Sequence, residues 1–202
     1  MNDTKKIGRP KKFNEETALQ AAVNVFWSKG YNGASMKDLT TAMQINSPSL
    51  YATYGDKETL FLKTVEYYMA GHNCTPLDAF EQEPDVRIAV RKFFKEIITY
   101  ATKDENKGRG CFLSSCVATC AETVEGAKPL LQQAIHESEN RIARRFNKEK
   151  KDGKLPQDFP SKCRARLMFD LRQGLVFKAR SGISQKSIQA DLKYWVHIVL
   201  DP

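Results

Sequence analysis

Apolar residues recur at helical spacing along the whole chain, and no segment shows the strict apolar–polar alternation of a half-buried strand. In the first example Leu19, Val23 and Phe26 share one helix face. Asn14 is placed to cap this helix and Gly30 to end it. The 202 residues suffice for an N-terminal domain and a second helical domain. The sequence therefore predicts an all-α fold of about nine helices.

The short segment SPSLYATYGDKETLF constrains the local architecture further. Ser47 is expected to cap a helix in which Pro48 occupies a position where its missing N–H costs nothing. Gly55 ends that helix, and Asp56 caps the next one. Upstream, Ser35 begins another short helix with a Ser-x-x-Asp pattern similar to a capping box. Two short helices joined by a turn of about three or four residues match a helix-turn-helix.

The helix that begins at Ser47 has the composition expected of a recognition helix, which enters the major groove through its first turns. Leu50 and Tyr54, on the face away from the groove, are expected to pack inward. Lys57 lies beside the next helix N-terminus, where phosphate binding is favoured. For Tyr51, an ordinary half-buried helix residue is the alternative. The hydroxyls that can hydrogen bond to phosphates or base edges belong to Ser47, Ser49, Tyr51 and Thr53.

Two longer segments, ALQAAVNVFWSKGYNGAS and MKDLTTAMQINSPSLYATYGDKETLF, carry a family resemblance through their residues and their spacing. Residues 9–62 resemble the DNA-binding domain of the TetR family of bacterial one-component repressors. The resemblance implies an all-α homodimer that binds a palindromic operator and is released when a ligand enters the C-terminal domain. Members often carry an aromatic residue or His at the positions of Ala52 and Thr53, which indicates fewer or differently placed base contacts here. Matched residue by residue, the family's DNA-contacting positions are Lys37, Ser47, Ser49, Tyr51, Ala52, Thr53 and Lys57.

The expected organisation is a basic N-terminal arm (1–12), a helix-turn-helix DNA-binding domain (13–60) and a ligand-binding and dimerisation domain (61–202). Arg9 lies in a Gly-Arg-Pro sequence flanked by lysines, and it is a candidate for minor-groove binding because Arg and Lys are drawn to narrow A·T grooves. A basic tail without a specific role is the alternative. The formal net charge of +8 favours a polyanionic partner, here double-stranded operator DNA.

The C-terminal two-thirds fits five more helices and carries the candidates for an effector site. Apolar and aromatic side chains with few polar groups are expected to line a pocket, although plain core packing is the alternative for each of them. These candidate ligand-binding residues are Phe94, Ile98, Phe112, Cys116, Phe169, Gln173 and Phe177. In the resembled family the last two helices of each subunit form the dimer interface. The residues suited to that interface, or to the internal core, are Leu171, Leu175, Leu192, Trp195, Val196 and Val199.

Cys111 is the candidate for a reactive thiol among five cysteines. Because Gly110 precedes it, it is expected in the first turn of a helix, where free N–H groups stabilise a thiolate. Lys107 and Arg109 would add positive charge, and a later cysteine could act as a resolving thiol after local unwinding. The stretch resembles the Gly-Cys helix start of electrophile-sensing TetR members, which implies a redox-sensing role. The alternative is that the cysteines of this segment are small apolar residues in a tight core.

Several kinds of function lack support in the sequence. It contains no Gly-rich phosphate loop, no His pair at metal-ligand spacing and no nucleophile–base set, so neither an enzyme nor a cofactor or metal site is expected. No apolar run is long enough for a membrane span and no secretory signal is evident, so a cytoplasmic location is expected. The sequence favours a ligand-responsive transcriptional repressor released by a small-molecule or electrophile inducer. The alternatives are an architectural DNA-binding protein without ligand control and a thiol- or redox-sensing regulator that uses Cys111.

Overall fold

The computed structural model describes residues 14–72, 75–103 and 110–201, and every regular element in these ranges is helical, as the sequence predicted. Arg9 and the rest of the arm lie outside these ranges, as do Lys107 and Arg109. In chain order the α-helices are α1 (Glu15–Gly33), α2 (Met36–Met43), α3 (Ser47–Tyr54), α4 (Lys57–Tyr67), α5 (Thr75–Gln82), α6 (Val86–Thr102), α7 (Ala118–Cys120), α8 (Ala127–Lys151), α9 (Ser161–Arg180), α10 (Gln185–Gln189) and α11 (Leu192–Leu200). Two π-helical turns, Tyr68–His72 and Leu113–Val117, continue α4 and precede α7.

The N-terminal helices begin and end where side-chain caps and glycines require it. Asn14 accepts a hydrogen bond from the Thr17 N–H at 3.1 Å, and Ser35 forms a complete capping box with Asp38. Gly30 has φ 71°, so it interrupts α1, which resumes for one last turn. The expectation that Ser47 caps α3 is wrong. Asn46 is the cap, and its side-chain oxygen accepts from the Ser49 N–H at 2.8 Å.

Two further differences concern the helix count. Helix α5 was not predicted, although Pro76 at its start and the spacing of Leu77 and Phe80 are typical helix signals. The segment expected to form one last helix is divided into α10 and α11, because the chain turns at Ala190 and Asp191. Both differences lie in short helices, whose periodic pattern is too brief to set their boundaries.

The apolar side chains form an N-terminal and a C-terminal cluster. The N-terminal cluster contains the buried faces of α1 to α4, with Phe26, Leu50 and Phe61 fully buried. It also takes in Phe112, Cys116 and other residues of the segment 112–127. Residues 112–127 are therefore packed against α1 and α4 of the N-terminal cluster, although they lie far from these helices in sequence.

The C-terminal cluster is formed by α5, α6, α8, α9, α10 and α11. Packed within it are Leu175, Trp195, Val196 and Val199, which the sequence assigned either to a dimer interface or to this core. Ile88 of α6 is an exposed apolar residue. None of the described helices is both long and apolar enough to span a bilayer.

A buried ion pair fixes α5 to α8. The Arg145 guanidinium donates to Glu149 at 2.7 Å on the same helix. It also donates to the carbonyl oxygens of Phe80 and Glu81 at the end of α5, and to that of Glu83 beyond it. Arg145 therefore satisfies the free carbonyls of α5 that no intrahelical N–H reaches.

Candidate DNA-binding surface and effector cavity

The helix α3 divides into a buried face and an exposed face. Leu50 and Tyr54 are buried against α1, α2 and α4, as their spacing predicted. On the opposite face 52% of Tyr51 is exposed. Ser47, Ala52 and Thr53 are also exposed and Ser49 is half-buried, so these side chains can reach a partner that lies against the first turns of α3.

The two lysines assigned to DNA contacts flank α3. Lys37 is exposed on the first turn of α2. Lys57 is the first residue of α4, and its ammonium lies 4.6 Å from the ring centroid of Tyr31. Asp56 caps α4, and its hydrogen bonds from the backbone N–H and the hydroxyl of Thr59 hold the pKa of that carboxyl below its usual value. This surface thus combines a helix N-terminus, a cation and hydroxyls.

A cavity of about 350 Å³ lies in the C-terminal half, within the size range of small-molecule sites. It is lined by residues of α5 to α9 and of the two π-helical turns. The polar groups on its wall include Glu96, Arg141 and Arg172. Its apolar lining includes Phe93, Ile97, Leu131, Ile142, Phe169 and Val176.

Two of the seven residues expected at a ligand site line this cavity, Phe169 and Gln173. Phe94 and Ile98 are buried in the core instead, and the Phe94 ring packs against Trp195 with a centroid distance of 6.0 Å. The α6 residues that line the cavity are 93, 96, 97 and 99–101, whereas Phe94 and Ile98 are packed in the C-terminal cluster. Periodicity identified the apolar side of α6, but it could not divide that side between cavity and core.

The other three expected residues lie elsewhere for different reasons. Phe112 packs among aromatic side chains of the N-terminal cluster. Cys116 lies in the same cluster, where its S–H donates to the Phe26 carbonyl oxygen at 3.3 Å. Phe177 is 71% exposed on the outer face of α9, because its helix position faces away from both α6 and α8.

Cys111 lines the cavity and is 4% exposed. Burial acts to raise the pKa of its thiol, but the Arg172 guanidinium and the backbone N–H groups of Ser114 and Leu113 outweigh burial, so the pKa is lowered. The Arg172 Nη2 atom lies 3.3 Å from Sγ. A positive charge at this thiol is thus supplied by α9, and the Tyr68 side chain lines the same cavity as Cys111.

The cysteines that follow Cys111 have a different environment. Burial raises the pKa of Cys116 to about 12 and also raises that of Cys120. Both belong to the N-terminal cluster, whereas Cys111 belongs to the C-terminal one, so the expected resolving partners do not face Cys111. Within the described residues no three His, Cys, Asp or Glu side chains are grouped to hold a metal ion.

Comparisons with known proteins identify the family. The model for bacterial regulatory proteins of the tetR family matches residues 18–64. The HTH-type transcriptional repressor ComR of Escherichia coli (strain K12) is 27% identical over 205 residues, which cover 96% of this chain and 95% of ComR. The solved structure of a cysteine-substituted variant of the TetR family transcriptional regulator CifR, in complex with 26-base-pair operator DNA, is 31% identical. It has a TM-score of 0.83 and covers 94% of this chain and 98% of that chain. The chain belongs to the TetR family.

A further relative is the uncharacterized HTH-type transcriptional regulator YezE of Bacillus subtilis (strain 168), which is 36% identical over 107 residues. That alignment covers 53% of this chain and 55% of YezE. These TetR-type relatives are transcriptional regulators and not enzymes, which agrees with the sequence analysis.

For this TetR-family chain, sequence reasoning missed two residues of the candidate site, Tyr68 and Arg172. Arg172 precedes Gln173, which was a candidate, but nothing in the sequence indicates that its side chain reaches Cys111. Tyr68 belongs to a π-helical turn, which widens the end of α4 and has no sequence pattern of its own. Only the packing of α4 and α9 around the cavity brings these side chains to the thiol.

Proposed function

We propose that the protein is a transcriptional repressor that binds a palindromic operator as a dimer. Residues 13–60 form the DNA-binding domain and residues 61–202 the effector and dimerisation domain. The observation that carries the proposal is the exposed face of α3, which holds Tyr51 and the neighbouring hydroxyls clear of the N-terminal cluster. CifR, a relative that matches this chain over nearly its full length, was solved on operator DNA.

Dimer formation is supported by an apolar surface on the last helices. Phe177 of α9 and Tyr194 and Ile198 of α11 are large side chains with exposures of 71%, 55% and 45%. Large apolar side chains exposed on the same pair of helices are candidates for burial at a protein interface. Gly174 has open space around it, so a partner helix can approach α9 closely there. Two α3 helices related by a two-fold axis then meet successive major-groove segments of the operator.

Release from DNA is the second part of the proposal, and it begins at Cys111. An electrophile that enters the cavity bonds to this thiolate, or a small molecule fills the same space without reacting. The neighbouring Phe112 packs on Trp27 of α1 and Phe61 of α4, with centroid distances of 5.9 and 6.3 Å. Consecutive residues thus contact the effector cavity and the core of the DNA-binding domain. A shift of this segment changes the position of α4, and with it the position of α3.

Operator binding tests the first part of the proposal. Tyr51→Ala and Lys57→Ala should each weaken binding to the operator by about 1–3 kcal/mol, measured by fluorescence anisotropy. Lys57→Ala should also reduce the salt dependence of log Kd by about one unit, because it removes a phosphate contact. Lys63→Ala, which removes an exposed lysine further along α4, is the matched control. Operator affinity unchanged in both variants contradicts the assignment. Equal binding to unrelated DNA sequences would favour an architectural protein instead.

A further inference from the structure

The cavity wall at Cys111 carries two side chains that can donate hydrogen bonds, Arg172 and Tyr68. Arg172 Nη2 lies 3.3 Å from Sγ, and the Tyr68 side chain lines the same cavity as Cys111. Both side chains also line the cavity, so they face any molecule that approaches the sulfur. A guanidinium has five N–H donors in a planar fork. Arg172 Nη1 also donates to Gln173 Oε1, at 3.4 Å, so Nη2 is the donor that faces the sulfur.

We infer that Arg172 and Tyr68 form an oxyanion-binding site beside Cys111, and that the reactive ligand of this cavity is a conjugated carbonyl compound. This inference rests on the proposed role of Cys111 and names the class of electrophile that the site takes. The apolar lining of the cavity holds the carbon skeleton, and the two donors hold the carbonyl oxygen.

The reaction is an addition that needs no oxidant or reductant. The Cys111 thiolate attacks the β-carbon, a C–S bond forms, and the C=C electron pair moves onto the carbonyl oxygen as an enolate. Negative charge therefore leaves the sulfur and appears on a nearby oxygen. The donors that face the thiolate can then stabilise the enolate oxygen. The α-carbon then takes a proton from water, so the net change is addition of S–H across the double bond.

Tyr68 is suited to this role because it stays protonated. Burial raises the pKa of its hydroxyl well above the usual value, and the neighbouring Cys111 thiolate acts in the same direction. Its ring is held by Phe112 at a centroid distance of 5.3 Å and by Trp27 at 5.8 Å. The hydroxyl is thus a fixed donor, which is the arrangement that stabilises a developing oxyanion.

The test compares two reagents at the same thiol in the full-length protein. N-Ethylmaleimide reacts by conjugate addition and forms an enolate, whereas iodoacetamide reacts by displacement of iodide and forms no oxyanion. The rate at Cys111 is measured for each reagent by mass spectrometry of the peptide that contains it. The ratio of the two rates cancels any change in the pKa of the thiol, because both reagents need the same thiolate.

In Tyr68→Phe the ratio of the maleimide rate to the iodoacetamide rate should fall at least about tenfold, while the ring packing is kept. Arg172→Lys, which keeps the charge but loses the fork, should lower the ratio as well. Tyr67→Phe, the neighbouring position, should leave it unchanged. Rates that fall by the same factor for both reagents, or not at all, in Tyr68→Phe and Arg172→Lys would overturn the inference.

Operator release by the maleimide is recorded in parallel, so the two proposals fail separately. A maleimide adduct at Cys111 without loss of DNA binding contradicts the proposed regulation, but the rate ratio still decides on the oxyanion site. Release that occurs with an unchanged ratio supports the regulation and rejects the oxyanion site.

Discussion

At Cys111, burial and neighbouring positive charge shift the pKa of the thiol in opposite directions. Burial alone would raise the pKa, as it does at Cys116, where the pKa is about 12. At Cys111 the Arg172 guanidinium and two backbone N–H groups stabilise the thiolate, and the pKa is lowered. Its partners therefore distinguish Cys111 from the other buried thiols, since all of them are nearly inaccessible to solvent.

Removal of the Arg172 charge should raise the pKa of Cys111. The variant Arg172→Met keeps much of the side-chain volume but leaves burial to dominate, so the thiolate should form only at higher pH. The measurement is the thiolate absorbance as a function of pH, taken as the difference from the same variant with Cys111→Ser. Arg166→Met, an exposed position on the same helix, is the control and should not move the titration. An unshifted Cys111 titration in Arg172→Met would show that the charge does not control the thiol.

The lowered pKa also predicts how stability depends on pH. The unfolded thiol has the higher pKa, so between the folded and unfolded values the unfolded chain binds more protons. The contribution of Cys111 is therefore fully present above the unfolded pKa and is lost as pH falls through the folded one. In urea titrations across this window, the stability difference between the wild type and Cys111→Ser should grow with pH. A constant difference would contradict the lowered pKa.

At the scale of the elements, the junction of α5 and α8 depends on one guanidinium. Arg145 and Glu149 are both buried, and removal of one partner of a buried ion pair leaves an uncompensated charge. Arg145→Met should destabilise the fold by about 3–5 kcal/mol and should also free the carbonyls of α5. The measurement is urea unfolding followed by circular dichroism.

Two comparisons sharpen that test. Arg144→Met, an exposed neighbour on α8, should change stability little. Glu149→Gln keeps a hydrogen-bond acceptor for Arg145. It should therefore lower the free energy of unfolding by less than Arg145→Met does. Equal stability of Arg145→Met and the wild type would mean that the pair contributes nothing to the junction of α5 and α8.

The sequence predicted the helix boundaries that have strong local signals. It did not predict the features that depend on tertiary packing. The capping box at Ser35, the glycine at position 55 and the cap at Asp56 each have a local physical cause, and each boundary is found. The inward Leu50 and Tyr54 also follow from periodicity. The cavity wall does not, because a helix such as α6 is apolar toward both core and cavity. The contacts of Arg172 and Tyr68 with Cys111 join three distant segments, which no local pattern encodes.

At the scale of the whole molecule, the exposed apolar surface on α9 and α11 predicts a dimer. Phe177→Lys places a charge at the most exposed of these side chains, so burial of this face against its symmetry mate becomes unfavourable. Light scattering should show a shift from dimer to monomer at micromolar concentration. Operator affinity should fall, because a monomer contacts only one half-site at a time. Ile88→Lys, an exposed apolar residue on α6, is the control and should remain dimeric. A dimeric Phe177→Lys protein would place the interface elsewhere.

The two clusters of the molecule meet at residues 111 and 112, and we propose that this junction controls DNA binding. Cys111 faces the cavity, and Phe112 is packed with the helices that carry α3. We propose that a change at the sulfur reaches α4 through these adjacent residues.

The most direct measurement is the fluorescence anisotropy of the operator complex after addition of N-ethylmaleimide. The wild type should release the operator as the Cys111 adduct forms, and Cys163→Ser, which removes the exposed cysteine of α9, should behave in the same way. Cys111→Ser should retain the operator under the same treatment. Equal release in Cys111→Ser and in the wild type, or a complete Cys111 adduct without release, would contradict control of DNA binding through Cys111.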